Sequence, residues 1–289
     1  MKTRLSILLT AVILLMVSCN GGKDNPDREE WTDLFNGKDL SGWDIKVAKH
    51  PLNENYNNTV RVEDGLLKMN YDDYEGFDGE FTHLFSRDKY SYYKLRVEYR
   101  FTGSQVPGGP GWARRNSGVM IHSQSAESMG IDQPFPTSIE VQYLGGLSDG
   151  NERPTANLCT PGTNVEMYGE LFTQHCTNSD SRTYDGDQWV TVEAVVYGDS
   201  LIAHVIEGDT VISYQKPQLD ESDALYSDML KHYGSKLISE GYIALQGESH
   251  PVEFRKVELL NLKGCTDPEA LNYKSYYVKS DNSKCIYKK

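Results

Sequence analysis

The chain has 289 residues and a formal net charge of −13; 25% of the residues are charged, 38% are hydrophobic and 11% are aromatic. This composition excludes a disordered chain, a collagen and a coiled coil. The acidic balance argues against a nucleic-acid partner, because phosphate binding requires a basic patch. The 19 tyrosines and 25 glycines, with little helical periodicity, favour a β-rich protein that binds polar, ring-shaped ligands.

The first 18 residues are predicted to be a signal peptide. Two basic residues precede an apolar run from Leu5 to Val17, which is too short and wrongly flanked for a membrane span. Met16-Val-Ser-Cys19 resembles a bacterial lipoprotein box, with Met where Leu is usual. We therefore expect lipidation at Cys19 and an exported lipoprotein of the outer membrane, on its periplasmic or cell-surface side, that meets the membrane only through its anchor. An ordinary secretory signal that contains Cys19 is the alternative.

Residues 19–30 are polar and acidic and are predicted to be a solvated tether, and residues 31–262 form the body. TVRVEDGLLKM at 59–69 predicts a hairpin around Asp64-Gly65. KLRVEYRF at 94–101 alternates apolar and polar residues, as a half-buried strand does. Further strands are predicted at 117–122, 138–144, 189–196, 200–206, 210–214, 241–246 and 252–260, and a helix at 222–232. About ten strands at short spacing indicate an all-β sandwich or barrel.

The cysteines agree with export. Cys159 and Cys176 lie 17 residues apart, and Cys265 and Cys285 lie 20 apart. Four cysteines allow three connectivities; the two local pairs are expected, because each lies in its own Gly-, Asn- and Thr-rich segment. A zinc site is the rival interpretation, but there is no Cys-x2-Cys spacing and export favours disulfides. Residues 263–289 are then a small disulfide-closed appendix.

Three predicted strands carry polar side chains of intermediate size on one face, as the period of two assigns them. These candidates, taken strand by strand, are His122, then Glu140 and Gln142, then Gln246 and Glu248. An ordinary solvent-facing sheet surface would have a similar pattern, and so would a face that binds sugar hydroxyls. Our hypothesis is that all of them converge on one concave face, although the sequence does not show that the three strands are neighbours.

Two loops add candidates. Trp112 follows a Pro/Gly-rich segment and precedes Arg115 and Asn116, which suggests an indole platform for a sugar ring with two polar residues at the rim. A tryptophan that covers the edge of the core is equally consistent. His250 lies in a turn directly after the last candidate strand and is a candidate acid or base. His175, beside a cysteine, is more typical of a surface histidine.

The cofactor question stays open, and no metal ligand is assigned. The acids at Asp180, Asp185 and Asp187 could hold a divalent cation such as calcium, and a cation could also stabilise an enolate. Turns rich in Asp and Asn are usually only turns. The chain contains no G-x-S-x-G, H-E-x-x-H, P-loop or G-x-G-x-x-G motif.

Five segments in order resemble the bacterial 3-keto-disaccharide hydrolase family: LFNGKDLSGW, RNSGVMIHSQ, SIEVQYLGG, GDQWVTVEAVV and GYIALQGESHPVEFRKVEL. The resemblance covers residues 31–262 and implies a concanavalin A-like jelly roll, a sandwich of two antiparallel sheets with a concave ligand face. The appendix resembles the small GCTDPxAxNY modules of secreted bacterial proteins, and its role is open.

The resemblance also implies a chemistry, the cleavage of 3-keto-glycosides. A partner sugar 3-dehydrogenase would supply the small carbohydrate substrate. The 3-keto group makes the C2 proton acidic, so that the glycosidic bond breaks by elimination and hydration follows. Such a site needs a base, a stabiliser for the enolate and an acid. We assign these roles to Glu140, to Arg115 or Gln142, and to His250. A two-carboxylate glycoside hydrolase that uses Glu140 and Glu248 and a non-catalytic carbohydrate-binding lipoprotein are the alternatives.

Overall fold

The computed structural model of the protein describes residues 25–288. The predicted signal peptide and the lipidation at Cys19 lie outside the described residues. The strands, in chain order, are β1 (Thr32–Asp33), β2 (Trp43–Val47), β3 (Val60–Glu63), β4 (Leu66–Met69), β5 (Thr82–Ser86), β6 (Tyr92–Phe101), β7 (Asn116–Ser123), β8 (Ile139–Leu144), β9 (Asn157–Cys159), β10 (Thr163–Met167), β11 (Glu170–Phe172), β12 (Cys176–Thr177), β13 (Val190–Tyr197), β14 (Ile202–Ile206), β15 (Asp209–Leu219), β16 (Tyr242–Gly247), β17 (Val252–Asn261), β18 (Lys263–Gly264) and β19 (Lys279–Ser280). Within residues 25–288, one α-helix, α1, spans Tyr226–Tyr233.

Two antiparallel sheets form the body. The ten-stranded sheet has the order β11-β10-β15-β14-β13-β6-β17-β4-β3, with β1 paired to β17. The seven-stranded sheet has the order β12-β9-β8-β7-β16-β5-β2. In the appendix, β18 and β19 form a short parallel ladder. The predicted all-β, jelly-roll sandwich with a short helix and a disulfide-closed C-terminal appendix is confirmed.

Local sequence signals explain several of these strands. Every second residue of β6 is buried, from Tyr93 to Phe101, because the strand puts one face on the core and the other towards water. In the hairpin of β3 and β4, Glu63 pairs with Leu66. Asp64 and Gly65 have φ angles of 53° and 77°, which suit a two-residue hairpin turn.

Some elements differ from the prediction. The helix predicted at 222–232 begins only at Tyr226, because the Asp220 carboxylate accepts the N–H of Ser222 and the Asp223 carboxylate accepts the N–H of Leu225. Such turns compete with a helix. Strand β5 escaped prediction because all five of its residues are buried, so it has no polar alternation. Strands β9 and β12 were not predicted either, because their three and two residues are too few to show an alternating pattern.

The three candidate strands are neighbours, since β8, β7 and β16 are consecutive in the seven-stranded sheet. Val119, Val141 and Leu245 point into the hydrophobic core between the sheets. Their sequence neighbours Met120 and Glu140 lie opposite each other on the other face of this sheet, as the period of two predicts. We call this second face, turned away from the core, the cavity face.

Both expected disulfides are present. Cys159 on β9 and Cys176 on β12 lie directly opposite each other and are bonded, and Cys265 is bonded to Cys285 in the appendix. Disulfides of this kind are typical of exported proteins. No helix within residues 25–288 is long and apolar enough to cross a membrane.

Candidate functional site

A cavity of about 570 Å³ opens on the cavity face, a volume within the usual range for small-molecule sites. Residues from strands β7, β8, β9 and β12 and from the loops around them line it. They are Trp112, Asn116, Phe135, Glu140, Gln142, Leu144, Arg153, Cys159, Pro161, His175, Cys176 and Glu248. Five of these residues are predicted residues of catalysis or substrate binding, so the strands bring a large part of the predicted constellation together: Trp112, Asn116, Glu140, Gln142 and Glu248.

The floor of the cavity is made by side chains of three adjacent strands. Glu140 and Gln142 lie two residues apart on β8, Asn116 begins β7, and Glu248 directly follows β16. The Asn157 amide donates a hydrogen bond to Oε1 of Gln142 at 3.1 Å, so the Gln142 amide N–H groups remain as donors. Nδ2 of Asn116 faces the carbonyl oxygen of Trp112 at 3.4 Å.

Glu140 depends on the glycine beside it. Gly118 lies opposite Gln142 on the neighbouring strand, and a Cβ added to Gly118 would come within 2.7 Å of Oε1 of Glu140 and 3.2 Å of the Val141 carbonyl oxygen. A side chain at residue 118 would therefore force the Glu140 carboxyl to shift. The Glu140 carboxyl therefore lies over the space that a side chain at residue 118 would fill.

The two floor carboxyls are electrostatically unusual. Glu140 and Glu248 are almost fully buried. Burial raises the pKa of Glu140 to about 8. Burial and then the neighbouring charge of Glu140 raise the pKa of Glu248 far above its usual range. Within residues 25–288, Oε1 of Glu140, Oε2 of Glu248 and Oδ1 of Asn116 have no hydrogen-bond partner. Buried polar atoms of this kind are available to ligand hydroxyl groups.

One wall of the cavity is aromatic. The Trp112 ring, which is 56% exposed, stacks on Phe81 with ring centroids 5.8 Å apart. Phe135 lies 4.7 Å from Phe81 and 6.5 Å from Trp112, centroid to centroid. This geometry combines both interpretations of Trp112, because the ring rests on other aromatic residues and still presents surface to the cavity.

Arg153 is a cavity residue that the sequence did not suggest. Its guanidinium donates to the carbonyl oxygens of Arg114, at 2.7 Å, and of Arg115, at 3.1 Å. It also lowers the pKa of Glu248 against the larger effects of burial. Arg153 lies in an irregular loop with no periodic signal, so only the fold could place it here.

The remaining wall carries Pro161, His175 and the disulfide Cys159–Cys176. Sequence reasoning treated His175 as a surface residue, and it treated the disulfide as purely structural. The one available signal was that His175 directly precedes a cysteine. The sequence does not show that Cys176, on β12, lies two strands from β8 in the seven-stranded sheet.

The prediction that His122 shares this face is wrong. The register of β7 with β16 shifts between Ala244 and Tyr242, and His122 has a φ angle of +50°. Such a bulge breaks the alternation of side chains. Nε2 of His122 lies 3.0 Å from the carbonyl oxygen of Gly198, between β13 and β14 of the ten-stranded sheet, and His122 does not line the cavity.

His250 and Arg115 also lie outside the cavity lining, which corrects the expected positions of both. His250 packs edge-on against Phe101, with ring centroids 5.8 Å apart. Burial and then the nearby charge of Arg115 lower the pKa of His250 to about 4, so this imidazole is neutral at pH 7. Arg115 has a φ angle of +48° and directs its guanidinium to the Gly186 carbonyl oxygen and to Asp187.

Gln246 lies on the cavity face but is covered. It is opposite Gly118 on one side and His83 on the other, and both Gln246 and His83 are fully buried. In the described part of the chain, neither side chain has a hydrogen-bond partner. His83, which the sequence did not single out, therefore extends the polar row beyond the open cavity.

Two of the three aspartates considered for a cation have other partners. Asp185 accepts hydrogen bonds from the N–H and hydroxyl groups of Ser148 at 2.8 and 3.1 Å, and Asp187 pairs with Arg115 at 3.3 Å. Among residues 25–288, no three His, Cys, Asp or Glu side chains are grouped closely enough to hold a metal ion.

The chain is similar to one protein family and to several solved structures. The family model described as 3-keto-alpha-glucoside-1,2-lyase-like domain matches residues 30–260. Two solved structures of candidate glycosyl hydrolases from Parabacteroides distasonis are similar at 20% and 16% identity, covering 80% of this chain and 93% and 99% of theirs, with TM-scores of 0.45 and 0.48. A Bacillus licheniformis β-glucanase is similar at 12% identity, covering 81% of this chain and 98% of its own, with a TM-score of 0.44. No curated protein matches the chain.

Proposed function

We propose that this chain, which belongs to the 3-keto-alpha-glucoside-1,2-lyase-like family, is an enzyme that cleaves 3-keto-glycosides, including 3-keto-disaccharides. Family membership indicates a carbohydrate-processing protein. The observation that carries the finer proposal is the buried carboxyl pair of Glu140 and Glu248 on the floor of a sugar-sized cavity. Elimination next to a ketone needs a base that is stronger than an ordinary carboxylate, and burial produces one.

The proposed reaction begins when the Glu140 carboxylate removes the C2 proton of the 3-keto sugar. The electron pair of the C2–H bond forms the enolate and then the C1=C2 double bond, while the C1–O bond breaks and its pair leaves on the glycosidic oxygen. Water then adds to C1 and a proton returns to C2, so the net change is hydrolysis. Burial and the charge of the Glu140 carboxylate both raise the pKa of Glu248, so Glu248 keeps its proton while Glu140 acts as the base.

Other floor residues stabilise the negative charge that develops on the keto oxygen. The Gln142 amide has free N–H donors, because Asn157 occupies only its oxygen. Asn116 and Arg153 add polar groups at the same cavity. Donors that are fixed in place before the reaction are the main source of enolate stabilisation. Trp112 offers a ring face on which a sugar packs.

A second candidate function has one specific observation in its favour. The pair of Glu140 and Glu248 also resembles the acid and base of a two-carboxylate glycoside hydrolase. Such an enzyme would cleave the unoxidised glycoside, whereas the proposed reaction requires the 3-keto group. A non-catalytic binding protein would hold either sugar without breaking it. The substrate of the proposed enzyme would come from a sugar 3-dehydrogenase. The enzyme itself would be a lipoprotein that is anchored to the membrane.

The test compares 3-keto-trehalose with trehalose. We expect the wild-type protein to release monosaccharide only from the 3-keto compound, and Glu140→Gln to lower kcat by at least about a hundredfold, the usual range for a lost acid or base. Glu170→Gln, at an exposed position on β11, is the matched control and should turn over normally. Cleavage of trehalose itself, or turnover by Glu140→Gln at the wild-type rate, would contradict the proposal.

A further inference from the structure

The departing sugar oxygen needs a proton, and the cavity holds few groups that can give one. An alkoxide is a poor leaving group, so general acid catalysis of this step is worth about a hundredfold or more. His250, the expected acid, lies outside the lining. The amides of Asn116 and Gln142 are not acids, and the Arg153 guanidinium is bound to backbone carbonyl groups. Glu248 and His175 remain.

Strand order separates these two residues. Glu140 on β8 lies directly opposite Cys159 on β9, and Cys159 lies opposite Cys176 on β12. His175 therefore lies two strand spacings from Glu140, roughly 10 Å along the sheet. Glu248 follows β16, on the other side of β8. The base thus has a carboxyl on one side and the imidazole on the other, with room for a sugar ring towards His175.

Substrate stereochemistry favours the side of His175. In the chair form of an α-glucoside, the C2–H and C1–O bonds are both axial and point to opposite faces of the ring. A base on one face and an acid on the other are then the efficient arrangement. The neighbouring charge of Glu140 contributes to the raised pKa of Glu248, so Glu248 belongs to the cluster of the base.

The segment around His175 is fixed. Its carbonyl oxygen accepts hydrogen bonds from the N–H of Thr160 at 2.9 Å and from the Thr160 hydroxyl at 3.3 Å. The next residue, Cys176, is bonded to Cys159. An exposed histidine without such support would move freely, and a misplacement of about 1 Å can cost about a hundredfold in rate.

We infer that His175 is the acid that protonates the leaving oxygen and that the Cys159–Cys176 disulfide positions it, an assignment that rests on the proposed function. The C1–O bond breaks with its electron pair on the oxygen, and that oxygen takes the proton from the His175 imidazolium, which becomes neutral imidazole. Water that later adds to C1 returns a proton to the imidazole. Histidine suits this role because it exchanges protons near neutral pH.

Two substrates with different leaving groups test the inference. The first is 3-keto-trehalose, whose leaving sugar needs a proton, and the second is 4-nitrophenyl 3-keto-α-glucoside, whose phenolate departs without one. We expect His175→Gln to lower kcat on the disaccharide by about a hundredfold and to change kcat on the nitrophenyl compound by less than about threefold. His232→Gln, on α1 and outside the cavity lining, is the control.

An equal loss on both substrates, or no loss on either, would overturn the acid role of His175. The double variant Cys159→Ser/Cys176→Ser should repeat the pattern of His175→Gln in weaker form, and an unchanged disaccharide rate would overturn the positioning role. If the wild-type protein cleaves neither 3-keto substrate, the proposed function fails and the inference falls with it. That result is distinct from a wild-type enzyme whose His175→Gln variant stays fully active.

Discussion

Replacing Glu140 by Gln should make the protein more stable, and increasingly so as the pH rises. The pKa of Glu140 is raised from 4.5 to about 8 by burial. The unfolded chain therefore releases this proton near pH 4.5, whereas the folded protein keeps it until about pH 8. A group with a raised folded-state pKa stabilises the folded form at low pH, and this contribution is lost as the pH rises towards 8.

The magnitude follows from the same values. Between pH 5 and pH 7.5 the folded protein holds one proton that the unfolded chain has lost, at about 1.4 kcal/mol per pH unit. The wild-type free energy of unfolding should fall by about 3 kcal/mol over this range through Glu140 alone. Glutamine keeps the shape of the side chain and does not titrate, so Glu140→Gln should lack this fall. The same burial that creates the base thus costs stability, as is common at active sites.

Urea unfolding at pH 5 and pH 7.5 measures this effect. The difference in unfolding free energy between Glu140→Gln and wild type should grow by about 3 kcal/mol from the lower to the higher pH. Glu170→Gln, at an exposed position, should run parallel to the wild type. If Glu140→Gln also runs parallel to the wild type, the carboxyl is ionised in the folded protein at neutral pH and the reasoning about the base is refuted.

Four further predictions concern other parts of the molecule. Gly118→Ala places a Cβ 2.7 Å from Oε1 of Glu140, so kcat should fall by at least about tenfold through displacement of the base; an unchanged kcat would mean that the carboxyl position is unimportant. Trp112→Ala should raise KM more than it lowers kcat, measured by steady-state kinetics, because it removes a ring face and no reacting group. Deletion of Gly264–Lys289 should leave a soluble body with a cooperative thermal transition, and an insoluble product would show that the appendix belongs to the core. Cys19→Ala should move the protein from the membrane fraction to the soluble fraction, and a wild-type protein with an unmodified Cys19 would contradict lipidation.

Side-chain alternation made much of the floor predictable. On β8 the period of two separates Ile139 and Val141 from Glu140 and Gln142, and the core takes the apolar pair. The same reasoning holds for Gln246 on β16, which lies on the cavity face as expected. It fails for His122 because a bulge adds one residue to one strand and reverses the direction of the next side chain. A bulge depends on how two strands pair, and the sequence of one strand does not encode it.

The sequence by itself determined the all-β class, the two local disulfides and the faces of the long alternating strands, because these depend on residues close together in the chain. Only the tertiary structure decided that β8, β7 and β16 are neighbours, that Arg153 and His175 reach the cavity, and that His250 does not. Those placements depend on strand order and register across separations of many residues. The raised pKa of Glu140 belongs to this second group, since burial by distant segments removes the water that would stabilise its charge.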